Sequence, residues 1–364
     1  MLDIDLCPEC GVPEPFSLGH RWLNNGDIVQ TADNRVRMGF IECEILDRLF
    51  DNISTIMGVS INPLIVNTVA RGTAHYLKPL IPKQVKELVE ARKISLEPFA
   101  KLMSTFCQII GYWKYEFMAH RYQNDADDFA RTRILHPFSV PEVAGCFAGT
   151  LSALVGGEHS ISYQEISPGL FELVSHWTTS PRDLKEETRL HVYNHRDGDI
   201  ELERCLACNC PKAFSDYHWY LEKGVIVDGV TGRRMALLGH ELLDAIFDAL
   251  EAERGDTVPR VIVEAQRRFV KTGFYSIEEV SNEEEFRAEL ALRGLGNLRE
   301  ITIGTSGLRM RIDNVSGHLL TIGMVQGLFE TALDTESFVD WDLSEEGDLT
   351  VEVTPRSIRE FISA

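Results

Sequence analysis

The stretch Cys7-PECGVPEPFSLG-His20 is repeated 198 positions later in the chain as Cys205-LACNCPKAFSDY-His218. Eight residues are identical within about twenty aligned positions, among them both cysteines of each Cys-x2-Cys pair and the histidine that follows. Self-similarity at a fixed offset is the sequence signature of a repeated structural unit. The two segments therefore predict that the chain contains the same unit twice.

Further blocks extend this alignment along the chain. They are Arg37-Met38 with Arg234-Met235, residues 131–134 with 309–312, and Gly145 and Gly149 with Gly323 and Gly327. Coincidental matching is the alternative to a duplication, but three collinear blocks favour the duplication. We predict two tandem repeats, at residues 1–196 and 197–364, of which the second is shorter by about twenty residues.

The sequence patterns of the two repeats predict the same order of helices and strands. A Cys-rich loop leads into a short strand, and apolar residues with the 3, 4, 7 spacing of an amphipathic helix follow at positions 45–53. A second helix is predicted at 63–76, then an alternating strand at 132–135, a Gly-x-x-x-Gly helix, and two strands at 160–166 and 170–176. This order predicts the α+β class, with helices packed on an antiparallel sheet in each repeat.

The composition narrows the classes of partner. The 364 residues carry a formal net charge of −20, and 44% of them are hydrophobic. Because binding to a phosphate backbone depends on clustered Lys and Arg, we expect neither nucleic acid nor an anionic membrane as a partner. No stretch of about 20 apolar residues is present, and the first ten residues lack the basic and apolar regions of a signal peptide. The sequence therefore predicts a cytoplasmic protein.

A family resemblance covers about 130 residues of each repeat. The stretch His136-PFSVPEVAGCFAGTLSALVG-Gly157, with the strand pair at 160–165 and 170–174, resembles the second half of the 4-vinyl reductase domain family. This resemblance implies a small-molecule-binding domain, related to haem-nitric-oxide-binding domains and to vesicle-tethering proteins of the transport-particle type.

The resemblance also implies a zinc cluster in the last hairpin, formed by a glutamate and cysteines. Glu165 is present here, but Ser167 stands where a cysteine would be expected. The family name implies a reductase, yet Gly294-LGNL-Arg299 lacks the third glycine of a dinucleotide-binding loop. We therefore do not carry a reductase activity over to this chain.

Three potential metal ligands occur in each repeat. Cys7, Cys10 and His20 correspond to Cys205, Cys208 and His218, with the spacing Cys-x2-Cys-x9-His. Two thiolates in one tight loop can reach the same ion, and zinc closes a structural site with four such ligands. Cys43 aligns with His240 at the start of the amphipathic helix, and both residue types bind zinc. We therefore predict two zinc sites, one per repeat, with Cys43 and His240 as the fourth ligands.

Alternatives to these sites remain open at this point. Cys43 and His240 fit equally well as half-buried helix residues, and a Cys-x2-Cys pair also occurs in redox dithiols. Cys210, two residues after Cys208, would suit an iron–sulfur cluster, although the first repeat has Val12 at that position. His191 and His195 precede the second Cys pair and are interpreted as surface histidines, with a contribution to the second site as the alternative.

Taken together, these patterns favour a metal-containing binding protein with a sensor or accessory role. Its ligand is expected to be a small hydrophobic or aromatic molecule, held by the helices at 45–53 and 63–76 and by the sheet. Two alternatives are an enzyme with an open zinc or iron–sulfur site in the second repeat and an adaptor that binds another protein. A homodimer or a protein partner is compatible with each of them.

Overall fold

The structure is a computed structural model that describes residues 4–123, 125, 127–177, 193 and 195–356. Its elements occur in the same order in the two halves of the chain. Those of the first half are α1 (Glu14–Gly19), β1 (His20–Trp22), β2 (Ile28–Gln30), β3 (Arg37–Glu42), α2 (Cys43–Met57), α3 (Asn62–Leu77), α4 (Lys83–Glu90), α5 (Glu97–Ile109), β4 (Lys114–Arg121), β5 (Phe129–Leu135), α6 (Val140–Val155), β6 (His159–Ser167) and β7 (Leu170–Trp177).

The second half opens with a 3₁₀ turn at Lys212–Asp216 in place of α1, and a π-helical turn at Val270–Phe274 follows its second helix. Its other elements are β8 (Tyr217–Tyr220), β9 (Val225–Asp228), β10 (Arg234–Gly239), α7 (His240–Arg254), α8 (Val258–Phe269), α9 (Glu278–Ser281), α10 (Glu283–Leu292), β11 (Asn297–Gly304), β12 (Gly307–Asp313), α11 (His318–Leu333), β13 (Ser337–Leu343) and β14 (Leu349–Pro355).

A six-stranded sheet joins the two halves, with the strand order β1-β2-β3-β10-β9-β8. Its central pair, β3 and β10, is antiparallel, and Phe40 pairs with Leu237, its own equivalent in the second repeat. All six residues of β3 are buried, so this strand has no face toward solvent. Because equivalent residues meet at the centre of the pair, the two repeats are related there by an approximate two-fold axis.

Each repeat also has its own four-stranded antiparallel sheet. The orders are β4-β5-β7-β6 and β11-β12-β14-β13, and the two sheets correspond strand for strand. Burial alternates along β5 and β12, as expected for strands with one face on a core. The prediction of an α+β fold, with helices on antiparallel sheets in two repeats, is confirmed.

The repeats exchange their first long helices. The apolar stripe of α2, which includes Leu46, Leu49 and Ile53, packs chiefly against α8 of the second repeat. In return α7 packs against α3 of the first repeat, and the side chain of Asn52 donates a hydrogen bond to the carbonyl of Ala265 at 3.0 Å. Each repeat is therefore completed by a helix from the other one.

The Gly-x-x-x-Gly helices are in close contact with their neighbours. A Cβ added at Gly149 in α6 would lie 2.7 Å from the Cβ of Thr73 and would overlap the carbonyl of Ala70, both in α3. Gly323 and Gly327 have the same relation to α8 and the turn that follows it. The glycines therefore let the two helices approach more closely than any side chain would permit.

We expect Gly149→Leu to lower the free energy of unfolding by about 1–3 kcal/mol, because the larger side chain overpacks the contact with α3. Urea unfolding of the purified variant measures this loss. Gly304→Leu is the matched control, since a Cβ at Gly304 meets no atom within 4 Å. Equal stability of the Gly149→Leu variant and the parent would show that α6 and α3 are not in close contact.

Among the described residues, no helix combines the length and the apolar character that crossing a bilayer requires.

Candidate metal centre and ligand cavity

The two Cys-x2-Cys segments form the same tight turn. The amide of Cys7 donates to the carbonyl of Val12 at 2.8 Å and the amide of Gly11 to the carbonyl of Cys7 at 2.9 Å. The amides of Cys205 and Asn209 make the matching bonds in the second repeat, both at 2.9 Å. Gly11 and Asn209 have φ angles of 72° and 62°, in the left-handed region that glycine and asparagine tolerate best. Each turn therefore holds its two cysteines on one side.

The four cysteines of these turns form one group. Cys7 Sγ lies 3.6 Å from Cys205 Sγ, and Cys10 Sγ lies 3.4 Å from Cys208 Sγ. All four sulfur atoms lie within 4.8 Å of one another. A tetrahedral zinc ion with Zn–S distances of about 2.3 Å requires sulfur atoms about 3.8 Å apart. The group could therefore hold a single metal ion.

The environment of this group lowers the pKa of Cys7, whereas burial and the neighbouring thiols raise the pKa of Cys10 and of Cys205. Burial raises the pKa of Cys7, but the backbone N–H groups of Cys10 and Glu9 and the neighbouring thiols outweigh that effect and bring its pKa to about 7. The amides of Cys208 and Ala207 donate to Cys205 in the same way, although burial leaves its pKa raised. Amide donors directed at a sulfur atom stabilise the thiolate, which is the form that binds a metal.

The group lies on the approximate two-fold axis, and each repeat supplies half of it. This differs from the two sites predicted from the sequence, in which each Cys pair was completed within its own repeat. Equivalent residues face each other across the axis, so that Cys7 meets Cys205 and Cys10 meets Cys208. Among the described residues, only this group of three or more His, Cys, Asp or Glu side chains has ligand atoms close enough for one ion.

The predicted histidine ligands are not brought to this group. His20 is buried, and its Nδ1 pairs with the carbonyl of Phe16 at 2.9 Å. Burial lowers the pKa of His20, so the ring is neutral at pH 7. His218 lies on β8 with an exposed side chain, next to Gly229. Both histidines therefore contact residues of their own repeat and not the four cysteines.

The predicted fourth ligands, Cys43 and His240, also lie outside the group. Each is the first residue of its helix, at the exchange of α2 and α7. Burial raises the pKa of Cys43 to about 12 and lowers that of His240 to about 3. The ring of His240 lies against Gly39, where any side chain would collide with it. Neither side chain belongs to the group of four sulfur atoms, and the two residues occupy equivalent positions in the repeats.

Arg37 is a buried arginine that makes hydrogen bonds between the two repeats. It is 1% exposed, and its Nε lies 2.5 Å from Asp27 Oδ1. Its Nη2 donates to the carbonyl of Asn314 in the second repeat at 2.6 Å. His195 Nδ1 lies 2.5 Å from the other oxygen of Asp27, so His195 joins this cluster and is not a metal ligand; His191 lies outside the described residues.

Arg234 makes the equivalent contact in the opposite direction. Its guanidinium donates to four carbonyls of the first repeat, those of Gly111, Tyr112, His136 and Pro137. His136 and Asn314 occupy matching positions, and both have a φ of 54°. The repeated Arg-Met pair thus marks an interface within the chain.

A large cavity lies in the first repeat. Its volume is about 830 Å³, within the range of small-molecule sites. We call it the first cavity. It is lined by α3, α5, α6, β4 and β5 and by the start of α7, with apolar side chains that include Met38, Met103, Ile134, Phe147 and Leu154.

A few polar groups face this apolar lining. Tyr76 donates its hydroxyl hydrogen bond to Gln30 Oε1 at 2.8 Å, and Glu241 Oε1 accepts the amide of Arg37 at 3.0 Å. Burial raises the pKa of Glu241 to about 7. The indole N–H of Trp113 is buried without a hydrogen-bond partner among the described residues. Such sparse polar groups in an apolar cavity are typical of sites that orient a ligand.

The sequence predicted only part of this lining. The helix at 63–76 does line the first cavity, as expected, through α3. The helix at 45–53 does not, because the exchange places α7 there and moves α2 to the second repeat. The sequence analysis did not identify Glu241 or Trp113 as lining residues. For Glu241 a signal exists, because Glu44 and Glu241 are identical residues at the offset of 197 that also relates Arg37 to Arg234.

The chain has limited similarity to known proteins. No family model matches the chain, and no curated protein matches it. Solved H-NOX domains match about a third of the chain. A Cs H-NOX mutant has 14% identity and a TM-score of 0.25 over 33% of this chain and 74% of its own. An oxygen-binding H-NOX domain related to soluble guanylate cyclases has 14% identity and a TM-score of 0.23, over 33% and 73%.

Proposed function

We propose that the protein binds a small hydrophobic or aromatic molecule in the first cavity and uses it in a sensor or accessory role. The observation that carries this proposal is the cavity of about 830 Å³ with its apolar lining and few polar groups. Sites of this kind bind ligands by burying their apolar surface, and the polar groups set the orientation. Kinship with the 4-vinyl reductase domain family is part of the same proposal.

The metal is proposed to be zinc in a structural role. Four thiolates fill a tetrahedral coordination sphere and leave no position for a substrate, whereas catalytic zinc keeps one open. Since each repeat supplies two ligands, the ion would tie the repeats together across the axis. The geometry therefore favours a binding protein over the open-site enzyme.

A fluorescent probe tests the ligand site. N-phenyl-1-naphthylamine, an uncharged aromatic, should bind with a stoichiometry of one and gain fluorescence. It should also raise the melting temperature, because a ligand of the native state adds about 2.7 kcal/mol of stability at a hundred times its Kd. Met103→Trp should weaken binding, since Met103 lines the cavity and the larger side chain takes up part of its volume.

Leu102→Trp is the matched control for this experiment. Leu102 is the preceding residue of the same helix, is 65% exposed and does not line the cavity, so its variant should bind the probe like the parent. Denaturing mass spectrometry of the purified parent should recover an apolar compound that the Met103→Trp protein retains in a smaller amount. Absence of both the compound and probe binding in the parent would reject the proposed function.

A further inference from the structure

A second cavity lies in the second repeat, at the position equivalent to the first cavity. Its volume is about 360 Å³. Met38 lines the first cavity, and its equivalent Met235 lines the second. Likewise Leu242 of α7 lines the first cavity, and its equivalent Ile45 of α2 lines the second. The exchange of helices has thus produced two related cavities with different walls.

Three polar side chains in the wall of the second cavity are buried without hydrogen-bond partners. His240 and Gln266 are each 1% exposed and Ser316 is 3% exposed. Both ring nitrogens of His240, Gln266 Oε1 and Ser316 Oγ lack a partner among the described residues. Their equivalents in the first repeat are Cys43, Val69 and Phe138.

Buried polar atoms are nearly always hydrogen-bonded, because leaving one without a partner is costly. Three of them around one cavity, at positions where the other repeat has a thiol and two apolar side chains, indicate an occupant that supplies the missing bonds. Gln266 Oε1 can only accept, and a neutral imidazole offers one donor and one acceptor. The occupant must therefore bring hydrogen-bond donors as well as an acceptor.

The charges around the second cavity exclude an anion. Two arginines line it, and both are engaged, Arg233 with Glu279 at 2.6 Å and Arg293 with Glu42. Six carboxylates line the cavity, and they favour a neutral or cationic occupant. These are Glu42, Asp216, Asp228, Glu279, Glu285 and Glu289.

The remaining wall is apolar and would contact the apolar part of an occupant. Ile41, Ile45, Leu320, Met324 and Leu328 contribute it. We propose that the second cavity is a separate binding site for a small amino-substituted nitrogen heterocycle, neutral or protonated, with Gln266, Ser316 and His240 contacting its polar edge. This site is independent of the ligand proposed for the first cavity.

Three probes of one shape test this chemistry by thermal shift and titration calorimetry. 2-Aminobenzimidazole should bind, 2-methylbenzimidazole should bind about tenfold more weakly because it lacks the amino donors, and benzimidazole-2-carboxylate should not bind. Equal binding of the amino and methyl probes, binding of the carboxylate, or binding of none of the three would overturn the proposal.

Variants assign the probe to its cavity. Gln266→Met keeps the approximate shape and removes the acceptor, so binding of 2-aminobenzimidazole should fall about tenfold. The ligand-free variant should melt at or above the temperature of the parent, because a buried amide without a partner does not contribute stability. Ser316→Ala should also weaken the binding of 2-aminobenzimidazole. Met103→Trp, which alters only the wall of the first cavity, should leave binding unchanged.

Two outcomes would contradict this assignment. If binding persists in Gln266→Met and is lost in Met103→Trp, the probe occupies the first cavity and the second is no site for it. If Gln266→Met melts well below the parent, the amide has a structural partner and the inference from unpaired polar groups fails. Neither outcome affects N-phenyl-1-naphthylamine binding, so the proposed function is tested separately.

Discussion

Cys10→Ser is expected to release one metal ion per chain and to lower the free energy of unfolding by more than about 4 kcal/mol. The reason is that binding to a structural site is folding free energy, and losing one ligand of four leaves buried thiolates without their ion. Elemental analysis of the parent should give one ion per chain, and chemical denaturation measures the lost stability. Two ions in the parent would restore the two-site prediction made from the sequence.

Cys210→Ser is the control for this experiment. Cys210 is buried and its thiol contacts that of Cys208, yet it is not part of the group of four sulfur atoms. Its variant should keep the full metal content, and so should Cys43→Ser and His240→Ala. Loss of metal in the Cys210→Ser protein, together with visible absorption bands in the parent, would favour an iron–sulfur cluster over zinc.

Arg37→Leu is expected to destabilise the protein by about 3–5 kcal/mol, the usual consequence of leaving a buried charge without its partner. Asp27 is 0% exposed and would lose its guanidinium, and the carbonyl of Asn314 would lose a donor. Arg35→Leu is the matched control, because Arg35 pairs with Asp33 on the surface and such pairs contribute about 0–1 kcal/mol. Urea unfolding of both variants measures the difference.

The double variant Asp27→Asn with Arg37→Leu should recover part of the stability lost in Arg37→Leu, since it removes the buried charge that has no partner.

The pH dependence of the stability gives a second test of this ion pair. Burial alone would raise the pKa of Asp27, but Arg37, His195 and Asn314 lower it below its usual value. This stabilisation is present above the unfolded pKa, near 4, and disappears as the pH falls through the lowered one. If Arg37→Leu unfolds like the parent at pH 7, the cluster contributes no stability.

Much of the architecture could be predicted from the sequence because a duplication doubles every signal. The helix at 45–53, the Gly-x-x-x-Gly helices and the sheet strands all occur in the structure as α2, α6, α11 and their neighbours. The same alignment selected Cys7, Cys10, Cys205 and Cys208 as candidate ligands, and the structure brings their four sulfur atoms together. It could not show that equivalent cysteines meet each other, because an alignment gives equivalence and says nothing about distance.

The exchange of α2 and α7 could not be predicted from the sequence, for a related reason. An amphipathic stripe such as Leu46, Leu49 and Ile53 shows that a helix is buried on one face, but the same stripe fits the core of either repeat. The cavities depend on that choice, so their walls could not be predicted either. The alignment of Cys43 with His240 showed that they start equivalent helices, but it could not show that both lie outside the group of four sulfur atoms.

The pairing of β3 with β10 has a consequence for synthesis on the ribosome. When β3 has been made, its partner is still about 200 residues away, which takes on the order of 10–40 s at typical elongation rates. During that time an apolar strand has a free edge, a hazard for association between nascent chains. A truncated first repeat should therefore self-associate through β3, and a chaperone that shields this edge should raise the yield of full-length chain.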